Sequence, residues 1–160
     1  MNTKLGNFQV TTVEFVPVLD TNEVVAGDVM CATLPIALAG QAPVTGRFRI
    51  EIVGLSILDK DDKGGLLDVV FLKSDVQLGT VNAAISITDA NAENIIGIVP
   101  ITSYYDLINS QRAQPGFDPI FTELASQYLY VALVARATNT YTASGIKGWV
   151  SVRIHNLGQS

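Results

Sequence analysis

The chain has 160 residues, of which 48% are apolar and 16% are charged. Soluble domains usually carry about 25% charged residues. The composition therefore excludes a disordered or collagen-like chain and predicts a single domain over residues 1–160. The net charge is −5 and the basic residues do not cluster, so we expect no nucleic-acid partner.

The first third of the chain predicts synthesis in a reducing cytoplasm. Residues 1–7 lack the apolar segment of a secretory signal, so we expect a polar N-terminal arm there. Residues 29–46 form the longest uncharged run, but prolines and glycines interrupt it, so we expect no membrane partner. The single cysteine, Cys31, lies in this run and is expected to be a buried small hydrophobe.

Two strands are predicted within the first forty residues. Residues 8–16 alternate loosely between apolar and polar side chains. Three of these side chains are expected to face inward: Val10, Val13 and Phe15. Residues 24–38 form a second apolar stretch, which Pro35 restricts to a sheet edge or a strand break.

The clearest alternation covers residues 47–52, where apolar side chains point one way and charged side chains the other. The phase reverses after Gly54, which predicts a β-bulge there because one extra residue exchanges the two faces. Residues 59–65 are polar and contain two glycines. They predict the turn of a hairpin whose second strand covers residues 66–72.

The one predicted helix covers residues 88–96, with Thr88 or Asp89 as its N-cap and the following glycine as its end. Possible strands flank this helix at residues 81–87 and 98–105. Each of these strands is expected to be short.

The last third of the chain contains two strong strands. Residues 109–116 have the composition of an exposed loop, which three apolar residues could anchor to the body: Phe117, Ile120 and Phe121. Residues 128–137 are apolar on both faces, as a central strand would be. Residues 149–155 alternate, with Trp149 on the polar side of the strand.

These patterns give roughly eight short strands, one short helix and no long amphipathic helix. We therefore expect an all-β fold, a two-sheet sandwich that is jelly-roll-like and has one short helix. A closed barrel is the alternative architecture.

The acidic turn is the first candidate for chemistry. Asp59, Asp61 and Gly64 match the first, third and sixth positions of a calcium loop. The fifth position, which must supply a ligand to the cation, is Lys63. The twelfth position, which must be a bidentate glutamate, is Val70. We therefore expect a solvated turn and no metal or other cofactor.

Catalytic constellations are equally weak. His155 is the only histidine, and no G-x-S-x-G elbow presents a nucleophile to it. Glu51 lies on a strong strand, where Arg47 or Arg49 is expected to pair with its charge. We expect no catalytic residues and no enzyme activity. A hydrolase with two carboxylates stays open, because their separation cannot be derived from spacing.

The low charge and the two-sided apolar strands predict a protein that binds partners, first of all copies of itself. Trp149 on the polar side of its strand either packs in a second core layer or contacts a partner, as in carbohydrate-binding sandwiches and protein interfaces. The interface candidates are Phe15, Leu34, Phe117, Phe121 and Trp149.

Three segments suggest a family. Residues 66–80 (LLDVVFLKSDVQLGT), 84–99 (AISITDANAENIIGIV) and 129–142 (LYVALVARATNTYT) together resemble small virion proteins of tailed bacteriophages. The resemblance spans roughly residues 45–155 and carries no catalytic signature.

That resemblance implies a capsid decoration (cement) protein. Such a protein would be a homotrimer on the outer head surface, would bind the major capsid protein and would be made in the host cytoplasm. The alternatives are a tail-associated structural protein and a lectin-like glycan-binding module.

Overall fold

The computed structural model describes residues 8–38 and 48–155. The predicted polar arm, residues 1–7, lies outside this part of the chain, as does Arg47. Over the described residues the fold consists of ten strands and one short helix. In chain order they are β1 (Phe8–Phe15), β2 (Leu34–Ala37), β3 (Phe48–Asp59), β4 (Leu67–Leu72), α1 (Asp89–Ala92), β5 (Ile95–Ile101), β6 (Tyr105–Asp106), β7 (Gln111–Ala113), β8 (Ile120–Leu124), β9 (Tyr128–Ala135) and β10 (Ile146–His155).

The strands form two antiparallel sheets. The first has the order β1-β10-β3-β7-β6, with β8 also paired to β3, and the second has the order β2-β9-β4-β5. The pairing runs from the chain ends inward: β1 with β10, β2 with β9, β3 with β7 and β8, and β4 with β5. This is the connectivity of a jelly roll. The predicted all-β, two-sheet sandwich with one short helix is confirmed.

The main core lies between the two sheets. β10 alternates strictly between buried and half-buried residues along its whole length, as its sequence predicts. Val150, Val152 and Ile154 point into this core. Opposite them, β9 is a central strand of the second sheet, and the prediction of a central strand is confirmed. β2 is an edge strand and contains Pro35, which agrees with the restriction that proline imposes.

A second, smaller core covers the outer face of the second sheet. Residues 73–88 fold back over this face, and Leu78 from this segment is buried against β4 and β9. The buried members are Val29, Val70, Leu72, Leu78, Ala132 and Val134. The two-sided apolar strands are therefore covered by the chain itself. These strands therefore do not require a partner subunit to cover them. Evidence for a partner has to come from side chains that remain exposed.

The β-bulge prediction is confirmed. Gly54 pairs with Ser151 and Ile52 pairs with Val152, which leaves Val53 as the extra residue. The hairpin prediction for residues 59–72 is wrong, because β3 lies in the first sheet and β4 lies in the second. The turn between them is the crossing from one sheet to the other.

Other boundaries also differ from expectation. Thr88 caps α1 as predicted, but the helix ends at Ala92 and a strand begins already at Ile95. Residues 81–87 form isolated bridges instead of a strand. Val10 faces solvent, since it lies on the outer face of β1. No helix in the described ranges is long and apolar enough to cross a membrane.

Candidate interaction surface

The five predicted interface residues do not form one surface. Phe15 is only 4% exposed and belongs to the main core, so its ring is not available to a partner. Leu34 and Phe117 are half-buried and pack against the same core. Phe121 is 61% exposed on β8. Trp149 is half-buried on the outer face of the first sheet.

Among the described residues, three exposed apolar side chains lie close together where β6 turns into β7. Tyr105 is 74% exposed, Ile108 is 83% exposed, and Leu107 between them is also exposed. The turn is closed by two hydrogen bonds: the Ile108 amide donates to Asp106 Oδ1 over 2.7 Å, and the Leu107 amide donates to the Ser110 carbonyl over 2.8 Å. We call residues 105–110 the hairpin tip.

Ile108 has a backbone conformation that its side chain disfavours. Its φ is +79°, in the left-handed region. The other described non-glycine residues with positive φ are Asp62 and Asn82, types that tolerate this region. A β-branched residue there is strained by about 1–3 kcal/mol. Sequence reasoning missed this position, although the apolar pair 107–108 next to Asn109 was a visible signal.

A groove of about 720 Å³ lies beside the hairpin tip. It is lined by residues 100–105, by Leu107 and by residues 112–116, so Tyr105 and Leu107 of the tip belong to its lining. The tip and the groove are therefore contiguous on the surface of one subunit.

A shallow hollow of about 350 Å³ lies on the outer face of the first sheet. Its floor consists of short residues, among them Gly54 at the bulge and Ser151 opposite it. Trp149 and Arg112 also line the hollow, and the guanidinium carbon of Arg112 lies 5.0 Å from the centroid of the indole ring. Lys147 approaches the same ring at 5.2 Å. We call this site the sheet hollow.

Among the described residues, Glu51 pairs with Arg153 and His155 and not with Arg49, while Arg47, the other predicted partner, lies outside the described ranges. The Glu51 carboxylate accepts a hydrogen bond of 2.8 Å from Arg153 and lies 3.3 Å from the His155 ring, both on the adjacent strand β10. Arg49 pairs instead with Glu123 on β8, at 3.5 Å. Cross-strand register explains this, because Arg153 is the Cα partner of Glu51.

Asp59 stabilises the turn that connects β3 of the first sheet to β4 of the second sheet. Its side chain is 0% exposed, so the expected solvated turn is wrong at this residue. The carboxylate accepts three backbone N–H groups, from Asp61, Lys63 and Gly64, at 2.8–3.0 Å. Burial raises the pKa of Asp59, although these three donors act in the opposite direction.

The side chain of Asp61 is also occupied. It accepts from the Thr142 amide over 2.6 Å and from the Thr142 hydroxyl over 2.9 Å. In the described ranges, no group of three or more His, Cys, Asp or Glu side chains could hold a metal ion. The acidic residues of this turn therefore serve the fold.

Cys31 is buried, as predicted, at 1% exposure. Burial raises the pKa of its thiol to about 11. A thiol with this pKa is protonated at neutral pH and is a poor nucleophile.

The fold and the surface together define a jelly-roll sandwich with an apolar hairpin tip. No protein-family model matches the chain, and no curated protein matches it either. The functional argument therefore depends on the surface features described above.

Proposed function

We propose that the protein is a structural virion protein that assembles as a homotrimer and decorates the outer surface of the phage head, without enzyme activity. The observation that carries this proposal is the strained, exposed isoleucine at the hairpin tip. The family resemblance and the jelly-roll fold, which occurs in viral capsid proteins, support it.

The tip has no role in the core that would explain its composition. Ile108 is 83% exposed, so its side chain contributes little burial within the subunit. Glycine or asparagine at φ +79° would relieve the strain. An isoleucine here is disfavoured in the isolated subunit, which favours a role for its side chain in a contact outside the subunit.

The partner at this contact is a second copy of the chain. The tip of one subunit would enter the groove between residues 100–105 and 112–116 of the next. Because tip and groove are contiguous, a rotation axis beside them lets every tip reach a neighbouring groove. Head-to-tail contacts of this kind close into rings when the rotation permits it.

Attachment to the head would act by mass action. A protein that binds only the assembled, expanded shell stabilises that state, by about 2.7 kcal/mol per site when its free concentration is 100 times Kd. A trimer that bridges neighbouring capsid subunits gains further affinity from multivalency.

Co-sedimentation with heads of the encoding phage tests this proposal. The protein should pellet with expanded heads and stay in the supernatant with unexpanded ones. Ile108→Gly should pellet less. Ile85→Thr, which removes an exposed isoleucine that does not line the groove, should pellet like the original protein. Absence of binding, or equal binding to both kinds of head, would overturn the proposal.

Position in the virion is tested separately. Gold-labelled antibody should mark the head surface. Label confined to the tail would contradict the head assignment and support a tail-associated structural protein instead.

A further inference from the structure

The sheet hollow contains hydroxyl groups that lie outside the groove beside the hairpin tip. Its floor carries a row of hydroxyl groups: Ser56, Ser151 and Thr12, the last two joined by a hydrogen bond of 2.9 Å. Gly54 keeps the floor open, because a side chain there would press against Ser151. Hydroxyl groups can both donate and accept hydrogen bonds, as a polyhydroxylated ligand requires, and the aromatic ring beside them offers an apolar surface for the C–H groups of such a ligand.

Arg112 is the charged side chain that lines the hollow, whereas Lys147 near the same indole ring is paired with Glu14 at 2.8 Å. The Arg112 Nε donates to Ser56 Oγ over 3.0 Å, which fixes the orientation of the guanidinium plane. The other arginines with described side chains form ion pairs with carboxylates: Arg49 with Glu123, Arg136 with Asp68 and Arg153 with Glu51. Arg112 forms no ion pair with any described residue. Its terminal nitrogens thus present a positioned fork for a carboxylate from outside the chain.

We propose that the sheet hollow binds a sugar residue that carries a carboxylate. The carboxylate would pair with the Nη atoms of Arg112. The sugar hydroxyls would exchange hydrogen bonds with Thr12, Ser151 and the Gln114 side chain, which also lines the hollow. The apolar C–H groups of the sugar would pack against the Trp149 indole.

This inference goes beyond decoration of a shell, although Arg112 and Gln114 line both the sheet hollow and the groove. The hollow lies on the outer face of β3, β7 and β10, whereas Ile108 lies at the hairpin tip. Ile108→Gly leaves every lining residue of the hollow unchanged, so this variant should bind the sugar at least as tightly as the original protein even where it weakens assembly. Pelleting with heads and tryptophan emission are separate readouts, so failure of one proposal is distinguishable from failure of the other.

Fluorescence titration provides a direct measurement, because Trp149 is the only tryptophan. The full-length protein is titrated with sialyllactose and with trigalacturonate, and in parallel with neutral lactose and with acetate. At least one acidic saccharide should change the emission saturably and bind about tenfold or more tightly than lactose and acetate. Equal binding of lactose, binding of acetate alone, or no saturable change with either acidic saccharide would overturn the proposal.

Variants locate the site. Arg112→Gln should weaken binding of the acidic saccharide by about tenfold or more, while Arg49→Gln, a matched change at an ion-paired arginine, should alter it by less than about twofold. Ser151→Val, which fills the floor with a residue suited to a strand, should weaken binding as Arg112→Gln does. Circular dichroism establishes that each variant is folded. Equal losses in Arg112→Gln and Arg49→Gln, or unchanged binding in folded Ser151→Val, would place the ligand elsewhere and overturn the proposal.

Discussion

Replacing Ile108 should separate the stability of the subunit from its ability to assemble. Ile108→Ala and Ile108→Gly both remove the exposed side chain, so both should lose the contact between subunits. They differ in strain, because alanine keeps a β-carbon at φ +79°. That β-carbon destabilises the folded alanine variant by about 1–2 kcal/mol. Glycine instead lowers the stability by about 0.4–1 kcal/mol, because it raises the conformational entropy of the unfolded chain. The glycine variant should thus be the more stable by about 1 kcal/mol.

Urea unfolding of the two variants, at a concentration where both are monomeric, measures this difference. Comparing one variant with the other removes the contribution of assembly, which would otherwise stabilise the original protein by mass action. For a chain of this size a difference of about 1 kcal/mol corresponds to about 2–4 °C in Tm. If the alanine variant were the more stable, as at a relaxed position, the strain argument would be refuted.

Three further predictions concern the fold. Gly148→Ala should destabilise the protein by about 1–3 kcal/mol, because the added methyl group overlaps the Phe15 ring. In a double-mutant cycle measured by urea unfolding, Phe15→Leu should recover part of that loss. Asp59→Ala should lower the free energy of unfolding by about 3 kcal/mol, because three backbone N–H groups lose their acceptor. Asp62→Asn, at the exposed position of the same turn, should lower it by less than about 0.5 kcal/mol. Thermal unfolding of both variants tests this. Cys31 should react with a thiol reagent at pH 8 only after unfolding. Because its pKa rises from 9.0 to about 11 on folding, its contribution to stability is fully present below pH 9 and is lost as the pH rises through 11, which unfolding at several pH values would detect. Labelling of the native protein at the rate of an exposed thiol would contradict the burial of Cys31.

Much of the fold could be predicted because local patterns and tertiary structure agree. The alternation in β10 reports directly which side chains face the core. The phase reversal around Gly54 identifies the bulge, because a single extra residue exchanges the two faces of a strand. Pro35 restricts β2 to an edge, because proline lacks the N–H that a central strand needs.

The rest could not be predicted because it depends on contacts distant in sequence. The apolar pattern of β4 and β9 does not show whether another subunit or the loop at residues 73–88 covers their outer face. The turn at Asp59 has the composition of a hairpin, yet its strands enter different sheets. Residues 81–87 have strand-like composition, but they find only isolated bridge partners.

The candidate surface was predicted only in part. Trp149 was identified from its place on the polar side of an alternating strand. Its neighbour Arg112 is 37 positions away in the sequence. The two side chains come together because β10 and β7 both pair with β3, so that Arg112 and Trp149 lie near each other on the same face of the sheet. The strain at Ile108 is a property of the backbone, which composition does not reveal.

The mass of the protein in solution tests the central claim most directly. Light scattering coupled to size exclusion, at micromolar concentration, should give about three times the 17.1 kDa of one chain. Ile108→Gly should shift the distribution towards the single chain. A mass of 17.1 kDa for the original protein under the same conditions would contradict the account.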